Sequence, residues 1–305
     1  MAVKPAAAIV ALALALALGP PTPQFRSGVD VVTVDALVTL DGRAVTGLTA
    51  ADFELRDNGI VQEIDSVSID DAPVSMLLAL DTSNSVEGPT LDHLKRAAVA
   101  AVDALAPDDR AAVMTFAEGV TLRARWGSPS GATREGIMRT AAGGSTSLYD
   151  AAYAALTLQD TGPGRRSYVL LFSDGGDTSS WLPARGMLER ARRSDAVVFV
   201  VTRKAPKPDV RLEYRPGVEL WTPQSPAAAA GAAMIDLADL TGGHVFVVQR
   251  ADELRGVFSE IVSQFRNRYL LRYRPRGVDA AGWHTIALKL AGGRAVVTAR
   301  RGYAR

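Results

Sequence analysis

Residues 74 to 85, Val-Ser-Met-Leu-Leu-Ala-Leu-Asp-Thr-Ser-Asn-Ser, constrain this chain more than any other segment. From Val74 to Leu80 only Ser75 is polar, so the run cannot alternate between a core face and a wet face. Such a run reads as a strand buried on both sides, in a parallel sheet covered by helices. It leads straight into an Asp-x-Ser-x-Ser turn, and a helix-forming segment follows from about Pro89. In open α/β sheets the ligand crevice lies at the carboxyl ends of the strands. Asp81, Ser83 and Ser85 are therefore expected at the mouth of the sheet.

The residue types at that mouth suit a hard divalent cation. Mg²⁺ takes oxygen ligands in near-octahedral geometry and gives up its waters reluctantly. Two serine hydroxyls beside one or two carboxylates leave such an ion under-neutralised and still partly hydrated. It can then accept one more anionic oxygen from a partner. The alternative role of Asp81 and Ser83 is to cap the next helix, since both types are favoured there.

Two later stretches bear on that choice. In Ala142-Gly143-Gly144-Ser145-Thr146-Ser147-Leu148-Tyr149-Asp150-Ala151 a glycine turn and three hydroxyl residues open a helix that carries Leu148, Ala152 and Leu156 on one side. Tyr168 to Asp177 is a second buried strand ending in Asp174-Gly175. Together the three stretches resemble the von Willebrand factor type A domain, whose metal-ion-dependent adhesion site is built on three loops of this kind. Position by position, Asp81, Ser83 and Ser85 match the first loop, Thr146 the second and Asp174 the third. The resemblance implies that these five residues hold Mg²⁺, or Mn²⁺ or Ca²⁺, with the hydroxyls in direct contact and the aspartates often acting through water. The sequence Gly-Gly-Ser-Thr carries an extra serine where many members have Gly-Gly-Thr, so Ser145 competes with Thr146 for the second-loop place.

Along the rest of the chain the hydrophobic period changes twice. Residues 29 to 70 alternate as strands, with turn signals at Asp41-Gly42 and Asn58-Gly59, and read as four short antiparallel strands. From Pro73 strands and helices alternate, which implies parallel βαβ units. Leu91, Leu94, Ala98, Val102 and Leu105 follow helical spacing; Ala111–Phe116 and Val120–Trp126 read as a strand pair. Pro183–Arg193 reads as a helix, Ala196–Thr202 as an apolar strand, and Leu254 to Phe265 as the last amphipathic helix. Residues 203 to 226 break this rhythm with five prolines among charges and read as an insertion near the mouth. After Asn267 the period returns to two, with a hairpin expected at Gly292-Gly293.

The two ends carry opposite charge. Residues 29 to 71 hold ten acids against two arginines, a net −8; residues 266 to 305 hold nine arginines and Lys289 against Asp279, a net +9. The ends are expected to fold together and cancel, because short antiparallel strands need partners to bury a face. The stretches 48–55, 57–64, 269–273 and 299–303 are similar to the leader and tail signatures of a secreted bacterial group called VWFA-related. The expected organisation is a signal peptide at 1–24, then a VWFA-like doubly wound α/β domain at 72–267 with the insertion at 203–226. A small β-rich accessory module is expected from 25–71 and 268–305.

Ala6 to Leu18 is an unbroken apolar run behind Lys4, too short to span a bilayer, which needs ~20 residues. Small-x-small patterns at Ala15-Leu16-Ala17 and Ala17-Leu18-Gly19, then Pro20, Pro21 and Pro23, fit a cleaved export signal. A secreted or periplasmic protein without a transmembrane span after cleavage is expected. A net charge of +1 over 305 residues gives no case for nucleic acid, and the absence of cysteine excludes disulfides and thiolate metal sites.

The expected activity is capture of an acidic group on a protein partner, without catalysis. Two alternatives stand beside it. One is a scaffold subunit of an envelope complex with a structural metal. The other is a haloacid-dehalogenase-like phosphatase with Asp81 as nucleophile and Asp174 and Asp177 on Mg²⁺, but Ser83 stands where that class needs a general acid. No Gly-x-Ser-x-Gly elbow is present, and His93, His244 and His284 show no orienting partner in the sequence.

Overall fold

The computed structural model describes residues 31–69, 72–160, 162, 164–203 and 226–305. The expected signal at 1–24 and nearly all of the insertion at 203–226 lie outside these residues.

The leading segment forms β1 (Val32–Leu40), β2 (Arg43–Ala44), β3 (Phe53–Asp57), β4 (Ile60–Gln62) and β5 (Ile64–Ile69). Asp41-Gly42 and Asn58-Gly59 turn the β1–β2 and β3–β4 hairpins, all four residues having positive φ. That geometry matches the twist of the flanking strands. The leading segment thus holds five strands rather than four, because a short β2 follows the first turn.

The alternating middle comprises β6 (Val74–Asp81), α1 (Pro89–Asp103), β7 (Arg110–Phe116), β8 (Val120–Ala124), α2 (Ser130–Met138) and α3 (Leu148–Leu158). It continues with β9 (Arg166–Ser173), α4 (Ala184–Arg192), β10 (Val197–Thr202), α5 (Pro226–Thr241), β11 (Val245–Val247) and α6 (Leu254–Phe265). Its sheet has the order β11-β10-β9-β6-β7-β8, parallel except for β8. The central β6 is buried along its whole length. Met76, Leu78 and Leu80 pack on one face with Leu94 of α1 and Phe258 and Ile261 of α6. Leu77 and Ala79 pack on the other with Leu148 and Leu156 of α3 and Leu237 of α5. This doubly wound arrangement is the expected fold class. Each fully buried leucine contributes about 1.5–3 kcal/mol relative to exposure.

The tail supplies β12 (Tyr269–Tyr273), β13 (Trp283–Leu290), β14 (Val296–Ala299) and β15 (Gly302–Ala304). β1 lies between β12 and β14, while β5 pairs with the other edge of β12. β3 lies between β4 and β13, and β15 pairs with β13. Leading and trailing strands therefore interleave in two antiparallel sheets around Val34, Leu55, Leu271, Tyr273 and Ile286. One expectation fails here: Gly292-Gly293 does not close a hairpin. The chain turns there, but β14 leaves β13 and pairs with β1 in the other sheet.

The charges cancel only in part as expected. Arg274 and Arg276 pair with Asp65 and Glu63 of the leading strands at 3.1 and 2.7 Å. Arg300, Arg301 and Arg266 instead pair with Asp195, Asp239 and Asp109 of the α/β layer. The basic tail thus binds both neighbours. Gly242, at φ +79° after α5, marks a close approach of the tail: a Cβ there would lie 2.4 Å from the Arg300 nitrogen. Among the described residues no helix is long and apolar enough to cross a membrane.

Candidate metal-binding mouth

Asp81 ends β6 with its side chain wholly buried. One carboxylate oxygen accepts the Ser83 N–H at 2.9 Å, and the other accepts the Ser173 hydroxyl at 2.7 Å. Ser173 reaches it because the parallel register pairs Leu80 with Phe172, which sets the two strand ends side by side. The Ser83 and Ser85 hydroxyls lie 3.0 Å apart, and Ser85 donates to the Asp174 carboxylate at 2.6 Å. Asp174, just past β9, is buried as well. Four of the five predicted site residues therefore form one hydrogen-bonded group across the first and third loops.

The second loop is stitched to both. Gly143 donates to the Thr82 carbonyl at 2.8 Å, and the Gly144 carbonyl accepts the Asn84 N–H at 3.0 Å. Gly144 has φ +83°, a conformation that favours glycine. The Thr146 carbonyl accepts the N–H groups of Thr178 and Ser179 at 2.8 and 3.1 Å, and its own N–H donates to the Thr178 hydroxyl at 2.8 Å. Thr146 is buried and Ser145 exposed. Among the described residues the Thr146 hydroxyl has no hydrogen-bond partner.

Electrostatics set this mouth apart. Burial pushes the Asp81 carboxyl above its usual range; hydrogen bonds from Ser83 and Ser173 oppose that, and the Asp174 charge adds to it. Among the described residues neither Asp81 nor Asp174 is paired with a lysine or arginine. Nor does any group of three or more His, Cys, Asp or Glu form a metal cluster among those residues. The donors here are hydroxyls and two carboxylates, a set that fits a hard cation keeping some of its waters and not a soft metal.

Asp177 has a different task. It accepts the Leu148 N–H at 2.9 Å and the Ser180 hydroxyl, so it caps α3. A residue engaged at a helix terminus is a poor candidate for the extra Mg²⁺ ligand a phosphatase reading would require. Ser173 and Thr178, which hold Asp81 and Thr146, were not legible in the sequence as site residues. Only the strand register and the loop crossing reveal them. The Asp-x-Ser-x-Ser turn does not act as a helix cap through its side chains: a one-turn 3-10 segment at Asn84–Val86 intervenes, and α1 starts behind Gly88 without a side-chain cap.

A doubly wound sheet with hydroxyls and carboxylates gathered at its carboxyl edge defines a class of α/β ligand-binding domains. Residues 76–176 match the family model of the von Willebrand factor type A domain. Among solved structures, a von Willebrand factor type A protein from Catenulispora acidiphila is similar at 16% identity and a TM-score of 0.53, over 82% of this chain and 72% of that one. Proximal thread matrix protein 1 from the mussel byssus, with a zinc-occupied MIDAS motif, is similar at 16% identity and a TM-score of 0.52, over 68% of this chain and 49% of that one. No curated protein sequence matches. The family match spans about a third of this chain, from β6 to the end of β9 and the loop behind it.

Proposed function

We propose that this protein is an exported, divalent-metal-dependent binding module that captures an acidic group of a protein partner, and that it is not an enzyme. Asp81, Ser83, Ser85, Thr146 and Asp174 hold the ion, Mg²⁺ or else Mn²⁺ or Ca²⁺. When bound, the ion supplies a positive centre with room for one more anionic oxygen. The observation that carries the reading is the hydrogen-bonded group formed by Asp81, Ser83, Ser85 and Asp174, in which both carboxylates are buried and, among the described residues, neither is paired with a lysine or arginine. In such a site the chain fixes the donors and leaves charge neutralisation to an outside ion. Export to the periplasm or beyond follows from the apolar segment at 6–18. Membership of the secreted VWFA-related group is part of the proposal, supported by the similarity of 48–55, 57–64, 269–273 and 299–303 to that group's signatures. The division into an α/β domain at 72–267 and an accessory module from both ends is part of the same proposal. It is supported by the pairing of β1 with β12 and of β3 with β13.

A pull-down from the envelope fraction with Mg²⁺, with chelator, and with Asp81→Ala tests the reading. A protein retained only by the wild type and only with Mg²⁺ is expected. Equal retention in chelator, or by Asp81→Ala, overturns it.

A further inference from the structure

Trp181 is 93% exposed, far more than any other large hydrophobic side chain among the described residues. A single exposed apolar residue usually needs no explanation. This one differs in how its backbone is held and where. The Trp181 and Leu182 N–H groups both donate to the Asp150 carboxylate at 2.9 Å. The preceding Ser180 hydroxyl oxygen accepts the Tyr149 and Asp150 N–H groups at 3.0 and 3.2 Å, and Ser179 meets Ser147 at 3.0 Å. The segment carrying the indole is thus tied to the first turn of α3. Asp150 lies in the first turn of α3, four residues after Thr146. The chain has fixed a large aromatic surface in water one turn from the second loop of the metal mouth.

We propose that Trp181 is the specificity contact of that mouth: it takes an apolar side chain of the protein partner, placed two to four residues from the carboxylate that reaches the ion. This rests on the metal-site reading above. An extended peptide advances about 3.3–3.6 Å per residue, so that spacing lets the partner reach roughly 7–14 Å beyond the ion. Tryptophan is among the residues that most often dominate binding energy at interfaces, because its broad face sheds much water on contact. The preset backbone reduces what must be ordered on binding. A protein strand fits better than an acidic polysaccharide, since among the described residues no lysine or arginine is paired with Asp81 or Asp174, and the exposed feature beside the mouth is apolar.

The test uses the ¹⁵N-labelled full chain and two probes, acetyl-Gly-Glu-Gly-Phe-Gly-amide and acetyl-Gly-Glu-Gly-Gly-Gly-amide, titrated in Mg²⁺ and in chelator. The indole resonance of Trp181, assigned from Trp181→Ala, is followed. With Mg²⁺ the phenylalanine peptide should shift that resonance and bind about three- to tenfold more tightly than the glycine peptide. The ratio should fall to about one in Trp181→Ala and return in part in Trp181→Phe. Metal-dependent binding of both peptides with equal affinity overturns the role of Trp181 and leaves the metal reading standing. No metal-dependent binding of either peptide overturns both. Oligogalacturonate binding that needs Mg²⁺ and is lost in Trp181→Ala, with the two peptides equal, overturns the protein partner in favour of a polysaccharide.

Discussion

The two ends of β9, about 23 Å apart at ~3.3 Å per residue, meet carboxylates of neighbouring strands in opposite circumstances. At the amino end Asp35 of β1 accepts Arg166 at 2.7 Å and Tyr168 at 3.0 Å, and it pairs with the fully buried Arg268. Burial pushes the Asp35 carboxyl up, but the charges and hydrogen bonds of Arg268 and Arg166 outweigh it and hold the group below its usual value. At the carboxyl end Asp81 has hydroxyls and an N–H for company and a like charge nearby, and its carboxyl is raised. The first site carries its own cations and joins the β sheets to the α/β layer. The second is complete in donors and incomplete in charge. Pairing one half-buried aspartate with two arginines makes a lock; leaving another, among the described residues, without any is what the proposed reading takes for a socket.

A third carboxylate lies between these cases. Asp57 is fully buried and accepts the Tyr273 and Tyr303 hydroxyls at 2.8 and 2.9 Å, with His284 Nδ1 at 2.9 Å. His284 has no evident partner along the sequence, because Asp57 lies 227 residues away and meets it only through the pairing of β3 with β13. Burial, then hydrogen bonding to Asp57, pushes the Tyr303 hydroxyl up to about 12. The group serves the core of the accessory sheets.

The contrast gives a graded set of expectations. Asp35→Ala strands two guanidinium groups and should cost about 3–5 kcal/mol in urea unfolding; a loss under 1 kcal/mol would erase the lock. The Asp35 contribution is present above the ordinary carboxyl value of 3.8 and lost as pH falls through the lower folded value. The Tm gap between wild type and Asp35→Asn should therefore stay constant from neutral pH down and shrink in strong acid. Mg²⁺ at a hundredfold excess over its Kd should stabilise the wild type by about 2.7 kcal/mol and Asp81→Asn not at all. Without metal, Asp81→Asn should be at least as stable as wild type at neutral pH, since a raised folded pKa makes the ionised carboxylate a net cost there. Tyr303→Phe should cost about 1–3 kcal/mol through an under-bonded carboxylate, with Mg²⁺ affinity unchanged. Within the second loop, calorimetry should find Mg²⁺ binding weakened by Thr146→Ala and unchanged by Ser145→Ala. Arg276→Ala removes an exposed pair with Glu63 and should change stability by less than about 1 kcal/mol.

Where periodicity was strong, the fold was legible. The nearly apolar β6 and the spaced apolar residues of α1 and α6 announced a covered parallel sheet. The helix α2 gave no such signal: it contains Gly131 and Gly136 and buries only Thr133 and Ile137, too little for an amphipathic stripe. β14 was assigned the wrong partner, because a glycine pair marks a turn and says nothing of where the next strand docks. The loop residues of the mouth were visible as types at strand ends. Ser173 and Thr178 were not, since their roles depend on which strands lie side by side. Asp177 could be seen as an acid near the site, but only its bonds to α3 show its task.

The most direct measurement is anomalous diffraction from crystals grown with Mn²⁺, which responds to the ion itself. The account predicts one peak at the carboxyl edge of the central sheet, within bonding distance of the Ser83 and Ser85 hydroxyls, and no peak in crystals of Asp81→Ala. A peak elsewhere, or none in the wild type at millimolar Mn²⁺, would contradict it.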